Sequence, residues 1–273
     1  MKKAFFLLVL LFHLLPKESW AQSLLQAIQS DSLTISSHRG VSALGEEENS
    51  IQSLTQALSA GIYLHEIDIM ESKDGKLYLL HDETLDRTTN LKGKIRDTYS
   101  TALDKTVLQG TNEPLPSFSE ALQWAKRHGA FLMLDVKAAP IKKVMAEVEK
   151  QGMLDKVMLL TFSRDRTREA LDYPKPYLIS ALIQEVEDIP FFFQIFPDKD
   201  YLIGYINKTA EINLYKKVRE AGIPIVTDTM GERDNLAVEK GNEAYLDFIR
   251  EKKPDILVSD YPLLLKQAVD RHF

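Results

Sequence analysis

The chain has 273 residues, a net charge of −6 and no cysteine, with apolar and charged fractions ordinary for a globular protein. Without cysteine there is no disulfide, thiolate metal site, cysteine nucleophile or lipid-modified N-terminal cysteine. The acidic balance argues against a nucleic-acid partner.

The first residues read as a targeting segment rather than as part of the fold. Lys2 and Lys3 are a basic start, and Ala4 to Leu15 is apolar apart from His13. Ser19 and Ala21 occupy positions −3 and −1 of a cut before Gln22. Residues 1–21 are therefore expected to be a secretory signal peptide, and 22–273 a single domain. An uncleaved anchor is the competing reading. The leader carries a net +2 from Lys2, Lys3, Lys17 and Glu18, so the remainder carries −8. No later stretch approaches the ~20 apolar residues of a membrane span, so none is expected in the mature chain. An exported chain without cysteine is expected to be bacterial, and periplasmic or secreted.

After the leader, Thr34–Ser37 reads as a strand ending at His38-Arg39-Gly40. Asn49 is placed to cap a helix over Ser50–Ala60, with Gly61 as its stop. Leu64–Met70 and Leu77–Leu80 read as strands joined by the turn Lys73-Asp74-Gly75-Lys76. Glu83–Pro116 is polar and irregular, too long for an ordinary connection. Ser117 caps the helix Phe118–His128. Strands at Phe131–Val136, Val157–Thr161, Tyr177–Ile183, Ile223–Val226 and Ile256–Val258 follow. Helices at Ile141–Gln151, Arg164–Leu171, Asn213–Ala221 and Ala244–Lys252 fall between them. Tyr201–Ile206 is a ninth strand-like segment whose place in the sheet the pattern leaves open.

About eight strand–helix units in ~250 residues match an α/β TIM (β/α)8 barrel, here with a small insertion after the third strand. An open doubly wound sheet fits the alternation as well. The polar residues decide between them. His38, Glu66, Asp68, His81, Asp135, Lys137, Ser163 and Asp260 all fall at or beyond the C-terminal ends of strands. Only a closed barrel brings so many strand ends to one mouth.

Side chains alternate along a strand, so Glu66 and Asp68 share one face and His65 and Ile67 the other. Two carboxylates at the mouth of an apolar barrel need a compensating charge. A hard divalent cation, Ca²⁺ or Mg²⁺, supplies it through oxygen ligands, and Asp135 is the natural third carboxylate. The competing reading is a salt-bridged cluster with Arg39 and Lys137 as counter-ions. His38 and His81, ending two neighbouring strands, suit general base and general acid work near neutral pH. Each taken singly also fits a structural role. His65 faces outward and is read as structural. Arg39 and Lys137 add fixed positive charge suited to a phosphate, the one as a fork and the other as a point charge.

The segments "SHRG", "EENS", "HEIDIMESKDGKLYLLHDETLDRTTN", "LMLDVK", "LLTFS" and "LVSDYP" resemble, in order and spacing, the glycerophosphodiester phosphodiesterase family. The match runs from about Ser36 to Pro262. The resemblance implies a TIM barrel and a divalent metal held by Glu66, Asp68 and Asp135. It also implies His38 and His81 as catalytic histidines, with Arg39 and Lys137 on the phosphate. The small-molecule substrate it implies is a glycerophosphodiester, cleaved to glycerol 3-phosphate and an alcohol. Glu83–Pro116 corresponds to the family's insertion at the substrate mouth.

Three positions depart from the family pattern. Asp135 stands where Glu is usual, and Glu47 where Pro is usual. "IVTDTMG" replaces a strand end with Trp, so an aromatic wall is expected to be missing and Asp228, Thr229 and Met230 to form that rim. Two alternatives stay open: a phospholipase-C-like or glycerophosphoinositol-cleaving enzyme, and a barrel that only binds a phosphorylated ligand. The first calls for an apolar rim, which Phe191–Phe193 with Ile195 and Phe196 supply if they do not pack on the core.

Overall fold

The computed structural model describes residues 23–30, 33–43 and 47–272, and the leader expected at 1–21 lies outside them. In chain order the elements begin with α1 (Leu24–Ser30), β1 (Thr34–Ser37), α2 (Ile51–Ser59), β2 (Leu64–Glu71) and β3 (Leu77–Leu79). The next are α3 (Ser100–Leu103), α4 (Phe118–His128), β4 (Phe131–Ala138), α5 (Ile141–Gln151), β5 (Val157–Thr161) and α6 (Arg164–Leu171). Then come β6 (Leu178–Leu182), α7 (Asp188–Ile195), β7 (Leu202–Tyr205), α8 (Ile212–Glu220) and β8 (Ile225–Asp228). The series ends with α9 (Glu232–Lys240), α10 (Leu246–Lys252), β9 (Ile256–Ser259) and α11 (Pro262–His272). No helix among the described residues is long and apolar enough to cross a membrane.

The parallel strands run β1-β9-β8-β7-β6-β5-β4-β2, and pairing of β1 with β2 shuts the ring. This is the TIM barrel. Two strand assignments change places, however. In sequence Leu77–Leu80 reads as the third stave, but β3 pairs antiparallel with β2, Ile69 opposite Leu79, outside the ring. The turn between them is too short for the crossover that a parallel pair requires. The missing stave is the undecided ninth segment, which forms β7 between β6 and β8. The insertion follows β3 and carries its own small core of Leu80, Leu85, Ile95, Leu103, Leu108 and Leu115.

Alternation sorts the side chains into two layers. Leu64, Met133, Met158, Leu178, Ile203 and Ile256 plug the inside of the barrel, with Leu24 and Ile28 of α1 closing the same cluster. Ile67, Ile69, Leu132 and Leu134 face outward into the packing with the helices. Leu64, Glu66 and Asp68 share the inward face of β2, as Met133 and Asp135 share that of β4. The apolar floor thus gives way to carboxylates towards the mouth. His65, on the outer face, is fully buried, meets Trp124 edge-on at 5.5 Å and places Nδ1 2.8 Å from Ser37 Oγ.

The aromatic run folds as α7, with Phe192 and Phe196 buried and Phe191, Phe193 and Ile195 packed against the outer core. It forms no apolar rim at the mouth.

Candidate active site

The strand ends open into a pocket of about 630 Å³ lined by His38, Arg39, Glu66, His81, Asp135 and Lys137, among others. Each wall residue is held there by local chain geometry. After β1 the chain makes a single 3-10 turn, His38–Gly40, in which Arg39 has φ 51° and Gly40 φ 75°. A Cβ on Gly40 would sit 2.7 Å from Leu54 Cδ2, so glycine lets the turn lie against α2. The turn aims the Arg39 backbone N–H at Glu66 Oε2, 2.8 Å away.

Glu66, Asp68 and Asp135 present carboxylate oxygens that all lie within 4.8 Å of one another. Asp68 and Asp135 are opposite partners on the parallel strands β2 and β4. Lys137 Nζ lies 3.1 Å from Asp68 Oδ1 and 2.5 Å from Asp135 Oδ2. Burial depresses the Lys137 ammonium, but the charges of Asp68 and Asp135 outweigh it and hold the group above its ordinary value. Part of the salt-bridged cluster is therefore present. Lys137 and the Arg39 guanidinium, its Nε 3.7 Å from Asp68 Oδ2, are still two cations for three carboxylates, though. Burial and the neighbouring Asp68 charge push Glu66 up to about 8, and burial also raises Asp135. A cation among these oxygens reverses that penalty, and the all-oxygen donor set suits a hard divalent ion. The residues fit a metal.

The cluster is braced by a residue whose role the sequence misplaced. Asn49 is not the cap of α2. Ser50 is, its side chain accepting from Ser53 N at 2.9 Å. Asn49 instead sits at φ 56° and points inward. Its Nδ2 donates to Asp68 Oδ2 at 2.8 Å, and its Oδ1 accepts from Asp68 N at 3.0 Å. Nothing in the sequence marks this role, since Asn is a capping-type residue and its positive φ belongs to the fold.

The two histidines are arranged alike. His38 Nδ1 lies 2.6 Å from Asp260 Oδ1, and His81 Nδ1 lies 2.8 Å from Asp82 Oδ1. A carboxylate only accepts, so each Nδ1 carries the proton and each Nε2 is left for the pocket. Burial pulls His38 down, but its bond to Asp260 and the charges of Glu66 and Asp260 raise it above the ordinary histidine value. The histidines do not end neighbouring strands. His38 follows β1 and His81 follows β3, and β2 lies between these two. Asp260 is fixed in turn by Asp234, a buried carboxylate that accepts from Asp260 N, Thr229 Oγ1, Ser259 Oγ and Tyr245 OH. Asp234 sits in a polar helix with two buried residues, and nothing in the sequence pattern marked it.

Arg39 reaches Glu48 through Nη1, at 3.1 and 3.0 Å. Its Nε is buried and has no hydrogen-bond partner, with Asp68 Oδ2 3.7 Å away. That orphaned donor lies beside the pocket and fits an anionic oxygen.

The far wall corrects two expectations. Phe162 and Tyr205, in edge-to-face contact at 5.4 Å, line the pocket and form an aromatic wall without a tryptophan. Asp228 and Met230 do reach the rim, but Thr229 is buried and bonds Asp234. Ser163 is not in the site either. It caps α6 by accepting from Arg166 N.

Fold and site together place the chain among the TIM-barrel phosphodiesterases. It belongs to the glycerophosphoryl diester phosphodiesterase family, whose family model matches residues 38–264. The Bacillus subtilis protein YqiK is 30% identical over 48% of this chain and 58% of its own length. The chain thus spans little more than half of that relative. A glycerophosphodiester phosphodiesterase of Caldanaerobacter subterraneus subsp. tengcongensis is 24% identical over 81% of this chain and 95% of its own. The crystal structure of a glycerophosphoryl diester phosphodiesterase from Parabacteroides distasonis superposes with a TM-score of 0.80 at 25% identity, covering 90% of this chain and 92% of that one.

Proposed function

We propose that the protein hydrolyses glycerophosphodiesters to glycerol 3-phosphate and an alcohol, with a divalent metal, Ca²⁺ or Mg²⁺, and two histidines. The observation that carries the reading is the pair of histidines, each tied at Nδ1 to an aspartate, facing one pocket with Glu66 and Asp135, behind which Asp68 completes the carboxylate triad. Glu66, Asp68 and Asp135 would hold the metal, which when bound supplies charge neutralisation at the phosphate.

Family membership supports a phosphodiester as substrate. His38, whose proton is stabilised by Asp260 and Glu66, suits removal of a proton from the attacking oxygen. That oxygen is the glycerol 2-hydroxyl, which gives a cyclic phosphate that water then opens, or water itself. His81, doubly protonated with its Nδ1–H held by Asp82, gives its Nε2 proton to the leaving alkoxide and is left as the neutral Nδ1–H ring. Arg39 and Lys137 orient the phosphate. Binding alone needs neither acid nor base, so the two histidines speak against a pure binding barrel. The buried packing of α7 speaks against a rim for long acyl chains. We also propose, from residues 1–21, that the protein is exported.

The test is to incubate the metal-loaded protein with a panel of glycerophosphodiesters and measure glycerol 3-phosphate release. Absence of release from every member would refute the reading.

A further inference from the structure

Arg87, in the insertion, lies between two carboxylates. Its Nε and Nη2 donate to Asp82 at 2.7 and 3.0 Å, and its Nη1 and Nη2 donate to Glu48 at 2.8 and 2.7 Å. The same two Glu48 oxygens accept from Arg39 Nη1, and Asp82 Oδ1 holds His81 Nδ1. The result is one continuous chain, His81–Asp82–Arg87–Glu48–Arg39, assembled from three separate parts of the sequence. Both of its ends line the pocket.

We infer that Arg87 and Glu48 are positioning residues that fix His81 and the Arg39 guanidinium in one ionic frame. The inference rests on the reading of His81 as the leaving-side proton donor.

A plain surface staple is the competing explanation, and two observations go against it. The Arg87 side chain is 48% exposed, and ion pairs that exposed add little to stability. The backbone on either side is also held without Arg87. Leu85 is fully buried, Leu85 N donates to Gly93 O, and Ile95 N donates to Glu83 O. What the bidentate bonds add is direction. A guanidinium fork fixes the plane of Asp82, and Asp82 fixes the imidazole. The Arg87 hydrogen bond also keeps Asp82 well below the usual carboxylate range, so the group stays an acceptor.

The experiment compares Arg87→Ala, Arg87→Lys and Glu48→Gln in the full chain, by turnover and by nitrogen NMR of the histidine rings. With an alkyl-alcohol glycerophosphodiester, Arg87→Ala should lose ~10–100-fold in kcat, the scale of a misplaced catalytic group. A nitrophenyl ester, whose leaving group needs no proton, should lose far less. Arg87→Lys should restore little, because an ammonium cannot bridge both carboxylates as a fork. Glu48→Gln should also raise KM for both esters, since Arg39 loses its anchor. In a His81→Ala background, Arg87→Ala should cost nothing further on the alkyl ester. In its neutral form the His81 ring should show the Nδ1–H tautomer in the parent protein and a mixture in Arg87→Ala, with His65 unchanged.

Equal losses on both esters, additivity with His81→Ala, or an unaltered His81 spectrum would each overturn the proposal. If the parent protein cleaves no glycerophosphodiester, the proposed activity falls, and the His81 spectra still decide whether Arg87 positions the ring.

Discussion

Asp260 Oδ1 lies 2.6 Å from His38 Nδ1, and the same aspartate is anchored through its backbone N–H by the buried carboxylate of Asp234. This pairing gives the imidazole a fixed tautomer, with Nδ1 protonated and Nε2 free to accept a proton. Asp260→Asn exchanges an obligate acceptor for a group that also donates, and the ring is released to the other tautomer. We expect kcat to fall by ~10²–10⁴, in the range for loss of a general base, with KM nearly unchanged. Steady-state kinetics on the folded variant check this. A kcat within twofold of the parent would remove Asp260 from the account.

The carboxylate triad predicts a dependence on hard cations. A chelator should abolish activity, and Ca²⁺ or Mg²⁺ should restore it, with Zn²⁺ serving less well because the triad offers only oxygen donors. By titration calorimetry, Glu66→Gln and Asp68→Asn should lose metal affinity, and Asp135→Asn should lose less. Asp135 is the most exposed of the three carboxylates and keeps Lys137 at 2.5 Å, so water and the ammonium replace an ion there most readily. Unchanged affinity in all three variants would show that the ligands lie elsewhere.

His65 predicts the acid side of the stability profile. Burial lowers its folded-state value from 6.5 to about 3, so the unfolded chain takes up a proton that the folded protein refuses. Stability from this group is complete above about pH 6.5 and declines as pH falls from there towards 3. The slope is at most ~1.4 kcal/mol per pH unit. Denaturant unfolding of the parent and of His65→Asn between pH 7 and 4 should show the slope difference, with the variant flatter. Parallel curves would mean that His65 does not titrate between the two states.

The barrel floor predicts a stability change without a functional one. Leu24 and Ile28 of α1 are 0% and 3% exposed in the interior cluster, away from the strand ends that carry the chemistry. Leu24→Ala should destabilise the fold by ~2–5 kcal/mol, the cost of a buried cavity. At a temperature where the variant remains folded, kcat should match the parent. Loss of kcat without loss of stability would show that α1 acts on the mouth.

The residues that chemistry needs at strand ends were legible because the barrel folds strictly by alternation. Glu66, Asp68 and Asp135 break an apolar inward face, and such a break is visible in sequence. The residues that hold those groups in place were not. Asn49 has the composition of a helix cap and spends its side chain on Asp68 instead. Asp234 and Arg87 sit in polar segments with no periodicity to distinguish a working charge from a solvated one. Helix α9 escaped notice for the same reason, having only Asp234 and Ala237 buried. The swap of β3 for β7 has another cause. Both are short apolar runs, and only the length of the connection that leads into each separates a hairpin strand from a stave.

The central claim is that two histidines divide one proton transfer, His38 on the attacking side and His81 on the leaving side. The most direct measurement is kcat of His38→Ala and His81→Ala, with metal affinity checked in parallel, on an alkyl-alcohol ester and a nitrophenyl ester of glycerol phosphate. On the alkyl ester each variant should lose ~10²–10⁴ in kcat while binding metal like the parent. On the nitrophenyl ester His81→Ala should recover most of its loss and His38→Ala none, because only the leaving side has been relieved of its need for a proton. Recovery of His38→Ala alone would reverse the two roles, and turnover of the alkyl ester unchanged in both variants would contradict the two-histidine account.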